Sequence, residues 1–404
     1  MDVACVVVGG GPAGLAASAA LTDRDVEHVV LERGRPGQTW RSQRWDSFRL
    51  NTPGWANALL GDQDRDAFLT AAEVVRRLDR LAAACPVRAG VEVHRLVPHA
   101  DGFVLDTGAG RVRSRAVVVA TGGENVPRLP TLARKLCPQV AQLHAADYRE
   151  PAELPAGAVL VVGSGQSGCQ IAEDLVLGGR RVILATSPVG RVPWRYRGRD
   201  TQEWLFDAGF FHQRINDLPD PALAHVPRPI FGSGGRSLSL QSLARAGVTL
   251  TGRMTAVADH RITVDDSLAD NVAAGDAFAA RARAMVDDII RRDGIDAPTA
   301  EPDATDGAVD LPSTTAVDLL AEGVGSVVWC TGFTGDFSWL SHSLLNGAGH
   351  PAHSGPAAAT VTGLWYLGLH WLTHRSSDTL NGMPRDAARV ADAVRAHLDH
   401  PHRP

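Results

Sequence analysis

Two short stretches limit most strongly how this chain can fold. "VVVGGGPAGL" (Val6–Leu15) and "VVGSGQSGCQIAEDL" (Val161–Leu175) each pass from an apolar strand through a glycine turn into a helix. Gly9, Gly11 and Gly14 fit the spacing G-x-G-x-x-G, and Gly163, Gly165 and Gly168 repeat it. The first glycine permits the tight turn, the second lets backbone approach a pyrophosphate, and the third lets helix and strand pack closely. The helix start adds free N–H groups and the positive end of a dipole.

The surrounding pattern is strand alternating with helix, which predicts parallel sheets. "HVVLERG" (His28–Gly34) is the second strand of the first unit, and "AVVVATGG" (Ala116–Gly123) a buried strand ending in glycines. "GAVLVVGSG" (Gly157–Gly165), "RRVILATS" (Arg180–Ser187) and "SVVWCTGF" (Ser326–Phe333) repeat that series. The expected fold class is α/β, with two Rossmann-like dinucleotide-binding domains built from three-layer βαβ units. Residues 1–153 and 324–404 are assigned to a discontinuous first domain, and 154–323 to an inserted second one. Within the insert, residues of about 265–312 form a helix followed by an acidic, Pro-rich surface loop. The helix's apolar stripe (Phe278, Ala282, Met285, Ile289) suits packing on the second domain or a lid over a cleft. "HPHRP" at the end reads as a disordered tail.

Glu32 stands 23 residues after Gly9, at the end of the second strand, where a carboxylate meets a ribose hydroxyl. The second unit has Thr186, Ser187 and Arg191 there instead, with Arg180 and Arg181 earlier. A carboxylate repels a 2′-phosphate, whereas hydroxyls and arginine bind one. The first turn is therefore read as a seat for FAD and the second for NADPH. The other reading of Arg191 is a solvated surface charge. Pro12 and Ala13 in the first turn, and Ser164, Gln166 and Ser167 in the second, are the contacts between the glycines and their helices.

Paired units of this kind also build disulfide reductases, which need a redox pair of cysteines beside the flavin. The five cysteines here are scattered and no C-x-x-C exists. Cys169 reads as a small residue packing a helix start. That points electron delivery toward oxygen. With a net charge of −5 and no basic block, neither nucleic acid nor a membrane surface is an expected partner. A first strand beginning almost at Met1 and unpaired cysteines fit a cytoplasmic protein.

"GQTWRSQRWDSFRLNTP" (Gly37–Pro53), "HAADYREP" (His144–Pro151) and "GLWYLGLHWL" (Gly363–Leu372) complete a pattern with the two glycine turns. Over nearly its whole length the chain resembles the class B flavin-containing monooxygenases, in their bacterial CzcO-like branch. The family's hallmark F-x-G-x-x-x-H-x-x-x-[FYW] is half met. His144 and Tyr148 fit, but Pro138 and Val140 take the Phe and Gly positions. The resemblance implies that NADPH reduces FAD and that one oxygen of O2 then passes to a soft nucleophile, nitrogen or sulfur, of a small molecule. Baeyer–Villiger insertion into a ketone, and a flavin oxidoreductase or redox sensor without oxygen insertion, stay open. Asn51 matches the asparagine the family places beside the flavin; otherwise it is a turn residue before "TP". Thr121 and Gly122 match strand-end contacts to FAD, and Arg33, Gln38, Thr39, Trp40 and Val93 complete the expected contacts of that nucleotide. His144 would link the two domains. His370, Trp371 and Arg375 would line the substrate pocket. His370 and His374 lie four apart without an accompanying Glu, so no metal is expected. A homodimer is possible on this reading but not specified by it.

Overall fold

The computed structural model describes residues 1–61 and 64–400; the proposed tail, apart from His400, lies outside them. The chain opens with β1 (Asp2–Val8), α1 (Pro12–Thr22), β2 (His28–Glu32) and α2 (Gln38–Ser42). After a long loop come α3 (Ala71–Ala83), β3 (Val87–Ala89), and a meander of β4 (Val93–His99), β5 (Gly102–Thr107) and β6 (Gly110–Val119). Next are β7 (Val126–Pro127), β8 (Ala141–His144), β9 (Ala158–Val162), α4 (Gln166–Leu177) and β10 (Val182–Ala185). A two-stranded ribbon, β11 (Arg195–Tyr196) and β12 (Arg199–Asp200), leads to α5 (Thr201–Asp207), α6 (Leu240–Arg245) and β13 (Thr249–Thr251). Then follow β14 (Met254–Ala258), β15 (Arg261–Val264), α7 (Leu268–Asp293), β16 (Ala316–Asp318) and β17 (Val324–Trp329). The chain closes with β18 (Phe333–Thr334), β19 (His353–Ser354), β20 (Ala357–Ala358), β21 (Leu364–Tyr366) and α8 (Met383–Asp399).

These strands form two main sheets. The first runs β19-β20-β21-β6-β1-β2-β3, with β5 and β4 continuing from β6; the second runs β13-β10-β9-β17-β8, all parallel. β9 along its length and β1 from Cys5 to Val8 are apolar because both faces are covered, as central parallel strands require. Each valine or leucine so buried contributes roughly 1.5–3 kcal/mol.

The first sheet packs one face on α1, α3 and α8 through Leu15, Leu78 and Val390. The second packs one face on α4, α6 and the start of α7 through Ile171, Leu243 and Leu268. Its other face is covered by an antiparallel sheet, β14-β15-β16, through Val257, Ile262 and Val317. The third layer there is strand, not helix.

The sheets correct the expected boundaries. β17 pairs with β9 and β8, so "SVVWC" belongs to the second sheet and the return to the first domain falls after it, not at 324. β8 lies in the second sheet too, so the first crossing falls before Ala141, not at 153. A long apolar strand buried on both faces suits either sheet, and only the pairing decides. Both crossings meet in one ribbon, where β18 pairs antiparallel with β7.

α7 packs on α5 and the Phe210–His212 turn, with Phe278 and Met285 beside Leu205 and Phe210, and Val286 beside Trp204. It is the packed surface helix of the two alternatives. The acidic loop after it turns partly inward: Asp303 bonds Ser237, and Asp306 pairs with Arg191 and Arg283. Among the described residues no helix is long and apolar enough to cross a membrane.

Candidate active site: two glycine turns and the cavity between them

The two turns are built alike. Gly9 and Gly163 adopt φ of 107° and 105°, which side chains avoid. A Cβ on Gly14 would stand 1.8 Å from the Gly9 carbonyl oxygen, and one on Gly168 would stand 1.8 Å from that of Gly163. Helix and turn touch at both places. By contrast, a Cβ on Gly11 or Gly165 would meet nothing within 4 Å. These two glycines cap α1 and α4, neither helix has a side-chain cap or an acid in its first turn, and Pro12 starts α1. Each helix thus presents unoccupied N–H groups to an open space. The space left free of a Cβ at both starts fits a pyrophosphate.

Beside the first turn lies a cavity of about 270 Å³, lined by Gly9, Glu32, Arg33, Val93, Thr121 and Asn125 among others. Glu32 is buried; its Oε2 accepts the Gly10 N–H at 2.6 Å and its Oε1 the Gly34 N–H at 2.7 Å. The strand ends therefore fix the carboxylate's orientation. Thr121 Oγ1 and Asn125 Oδ1 are buried without a partner among the described residues. Orphaned polar atoms on this wall suit a ligand with hydroxyls and ring nitrogens. Gly122 follows with φ of 79°. Gln38 and Thr39 open α2, where Gly37 in the left-handed region caps the helix.

In the second unit Ser164 is buried between strand ends, accepting the Ser187 N–H at 2.9 Å and donating to the Ser187 carbonyl at 3.0 Å. Gln166 is held by the loop at 231–232, through Phe231 N–H and Gly232 carbonyl. Arg191 departs from both of its expected readings. It is buried, and its guanidinium is taken by Asp276 at 2.7 Å and Asp306 at 2.6 Å. Two carboxylates already neutralise it, so it locks α7 and the acidic loop to the unit. Arg180 is spent on carbonyl groups and Arg181 on Glu322. Arg253 just beyond β13, the strand beside β10, is exposed, and its guanidinium makes no hydrogen bond or close ion pair among the described residues, the nearby charge being that of Asp265. Nothing in the linear pattern marked it, because it lies 66 positions after Ser187.

Between the units lies a second cavity, of about 340 Å³. Trp40, Trp55, Phe206, Phe211 and Phe333 give it aromatic walls, and Gln166 and Ser167 bring the second turn to it. Asn51 lines it as well. Its carbonyl accepts from Gln202 Nε2 at 2.7 Å, while its carboxamide has no partner among the described residues. The loop carrying Asn51 spans the two units: Trp45 is buried in the second core beside Tyr148 and Ile171, and Leu50 in the first. Ser47 donates to Asp174 at 2.5 Å, and Arg65 pairs with Glu203.

Arg44 also lines this cavity and escaped the sequence reading. Its guanidinium lies 4.7 Å from the Trp40 ring centroid and donates to the Gln43 carbonyl at 2.8 Å. Burial lowers its pKa to about 10, partly offset by Glu124. It has no carboxylate contact among the described residues.

His370, Trp371 and Arg375 do not line the cavity; Ser376, Asp378, Thr379, Leu380 and Asn381 do. The loop after β21 coils, so its later residues face inward. His370 bonds Asp378 and the Ala224 carbonyl, and Arg375 stacks 3.9 Å from Phe210 and 4.6 Å from Trp371. These three buttress the wall. Gly382 caps α8 directly after the lining residues.

His144 is buried, and burial lowers its pKa despite its bond to Gly332. Its Nδ1 accepts the Ala146 N–H at 3.1 Å and its Nε2 donates to the Gly332 carbonyl at 3.0 Å, at the crossing into β18. Tyr148 donates to Asp174 at 2.5 Å. Cys169 is fully buried, and burial pushes its thiol up to about 12, so it is no thiolate nucleophile.

Residues 6–207 match the family model described as pyridine nucleotide-disulphide oxidoreductase. A CzcO-like oxidoreductase of Geobacillus kaustophilus is 26% identical over 97% of this chain and 98% of its own length. The indole-3-pyruvate monooxygenase YUCCA1 of Oryza sativa is 32% identical over 44% of this chain and 46% of its own. The structure of a flavin-containing monooxygenase from Stenotrophomonas maltophilia superposes with a TM-score of 0.67, at 21% identity and 98% coverage of both chains.

Proposed function

The chain belongs to the pyridine nucleotide-disulphide oxidoreductase family, and from that premise we propose that it is an FAD- and NADPH-dependent monooxygenase acting on a small molecule. Its relatives, oxidoreductases and flavin monooxygenases, support the coarser part, a flavin-dependent oxidoreductase. The overall balance is substrate, O2, NADPH and a proton in, and oxygenated substrate, NADP⁺ and water out. The preferred substrate atom is a soft nitrogen or sulfur.

One observation carries the reading: Asn51 and the start of α4 line the same aromatic-walled cavity between the two glycine turns. FAD at the first turn would supply a hydride acceptor and the place where oxygen is activated. Gly11 and the start of α1 would hold its pyrophosphate, with Glu32 on the ribose and Thr121 and Asn125 along the wall. Gly165 and the start of α4 would hold that of NADPH. Asn51 would donate its free carboxamide N–H to developing negative charge without delivering an acidic proton. The aromatic walls would exclude water.

Arg44 favours a second reading of the substrate. A guanidinium with no carboxylate contact, stacked on aromatic rings, suits an aromatic 2-oxo acid, the class named for the rice relative.

The test is NADPH consumption, O2 uptake and product yield with thioethers, amines, ketones and aromatic 2-oxo acids. Asn51→Ala should still consume NADPH but release H2O2 in place of product. Full product yield per NADPH in Asn51→Ala would remove the role given to Asn51. NADPH consumption that no member of the panel stimulates would remove the oxygenase.

A further inference from the structure

On the wall of the interdomain cavity one hydroxyl leads inward to a buried acid–base pair. Ser376 lines the cavity; its Oγ donates to the Phe211 carbonyl at 3.0 Å and lies 3.2 Å from His374 Nδ1. Ser377 Oγ approaches the same nitrogen at 3.4 Å. His374 is 3% exposed. Its Nε2 stands 3.5 Å from Oδ1 of Asp386, which is wholly buried in the first turn of α8. Thr373 donates to that oxygen at 2.6 Å. His374 Nε2 and Asp386 Oδ2 have no hydrogen-bond partner among the described residues.

A buried imidazole and carboxylate are costly unless paired. The fold nonetheless places them behind a serine that lines the cavity. Beyond them stands His212, exposed, its ring centroid 6.2 Å from that of His374 and its Nδ1 3.0 Å from Arg385 Nη1. The line runs from solvent to cavity: His212, His374 with Asp386, Ser376.

We propose that Ser376, His374 and Asp386 form a proton relay into this cavity. The proposal rests on the oxygenating reading above, whose balance takes up one proton for each NADPH. With both nucleotides bound, that proton must reach a site walled from water. The doubly protonated imidazole gives its Nδ1 proton to Ser376 Oγ while the serine's own hydroxyl, turned from the Phe211 carbonyl, passes its proton to the acceptor in the cavity. The ring is left neutral, with its Nε2–H toward the Asp386 carboxylate 3.5 Å away, and is recharged from the solvent side, where His212 stands. No electrons move in this exchange. Burial and the cations Arg385, Arg389 and His212 favour the neutral ring, and Asp386 favours the charged one. Burial outweighs Asp386, so a protonated ring here gives its proton up readily.

Two measurements on the FAD-loaded protein test this. Nitrogen NMR of labelled histidines, with His374 assigned from His374→Gln, should show the Nδ1 signal move in Ser376→Ala. It should also show the ring's pKa fall in Asp386→Asn. Independence of His374 from both substitutions overturns the relay. In turnover, Ser376→Ala and His374→Gln should slow product formation at least about tenfold more than flavin reduction. His374→Gln should also lose the wild-type pH dependence of the oxygen step and be partly rescued by added imidazole. Equal slowing of both half-reactions without rescue marks a structural role and overturns the proposal. If wild type takes up no oxygen with any substrate, the proposed function falls, while the NMR arm still decides whether the relay exists.

Discussion

The two glycine turns separate folding from binding, and four alanine variants test that separation. Gly14→Ala and Gly168→Ala each put a Cβ 1.8 Å from a backbone carbonyl oxygen, where ordinary contact begins at 3.4 Å. The oxygen belongs to a turn whose φ is already set near 105°, so it cannot yield cheaply. Overpacking of this kind costs about 3 kcal/mol, which lowers Tm by roughly 6–12 °C at this domain size. Gly11 and Gly165 have φ of −79° and −70° and nothing within 4 Å of a Cβ. Alanine there should leave Tm within about 2 °C, the small loss at an N-cap being partly offset by the stiffer unfolded chain. It should instead block the pyrophosphate. Loss of one or two charged hydrogen bonds is about 2–4 kcal/mol, or roughly 30- to 1,000-fold in Kd. Gly165→Ala should therefore keep its flavin and lose NADPH, measured by fluorescence titration, whereas Gly11→Ala should purify depleted of flavin. The reasoning is refuted if Gly165→Ala binds NADPH within about threefold of wild type, or if it melts as low as Gly168→Ala.

Two further outcomes follow from individual side chains. Burial raises the pKa of Asp200 from 3.8 to about 7, against the opposing bond from Gln202 N–H. Raised in the folded state, the group stabilises fully below its unfolded pKa, and that stability drains as pH rises through about 7. Asp200→Asn keeps the helix cap and should gain about 2–4 kcal/mol at pH 8 but almost nothing at pH 4, by urea unfolding; an equal gain at both pH values refutes it. Arg253→Ser should raise the Kd for NADPH about tenfold while leaving that for NADH unchanged, and equal weakening of both would mean that Arg253 does not meet the 2′-phosphate.

What the sequence revealed and concealed follows the range of each interaction. The glycine turns were legible because their spacing encodes contacts five residues apart, such as Gly9 with Gly14. Strands are legible as apolar runs, but a run buried on both faces does not state its neighbour: the repeated series places β17 with β9, as observed, whereas the boundary at 324 cuts it away. Asn51 was found through its surrounding motif. The partners of Arg191 were not, because Asp276 and Asp306 lie 85 and 115 positions away on elements that meet only when packed. Arg44 is hidden for a related reason: its distinction is the lack of a direct ion pair among the described residues, which no linear pattern records. The residues behind the cavity wall were misplaced because a coiling loop after β21 reverses which side chains face in.

The strap that carries Asn51 has its ends in different halves of the molecule, with Trp45 sunk in one core and Leu50 in the other. The position of that amide in the cavity wall is therefore set by both cores at once, and a core substitution in either half, far from the cavity, reaches it.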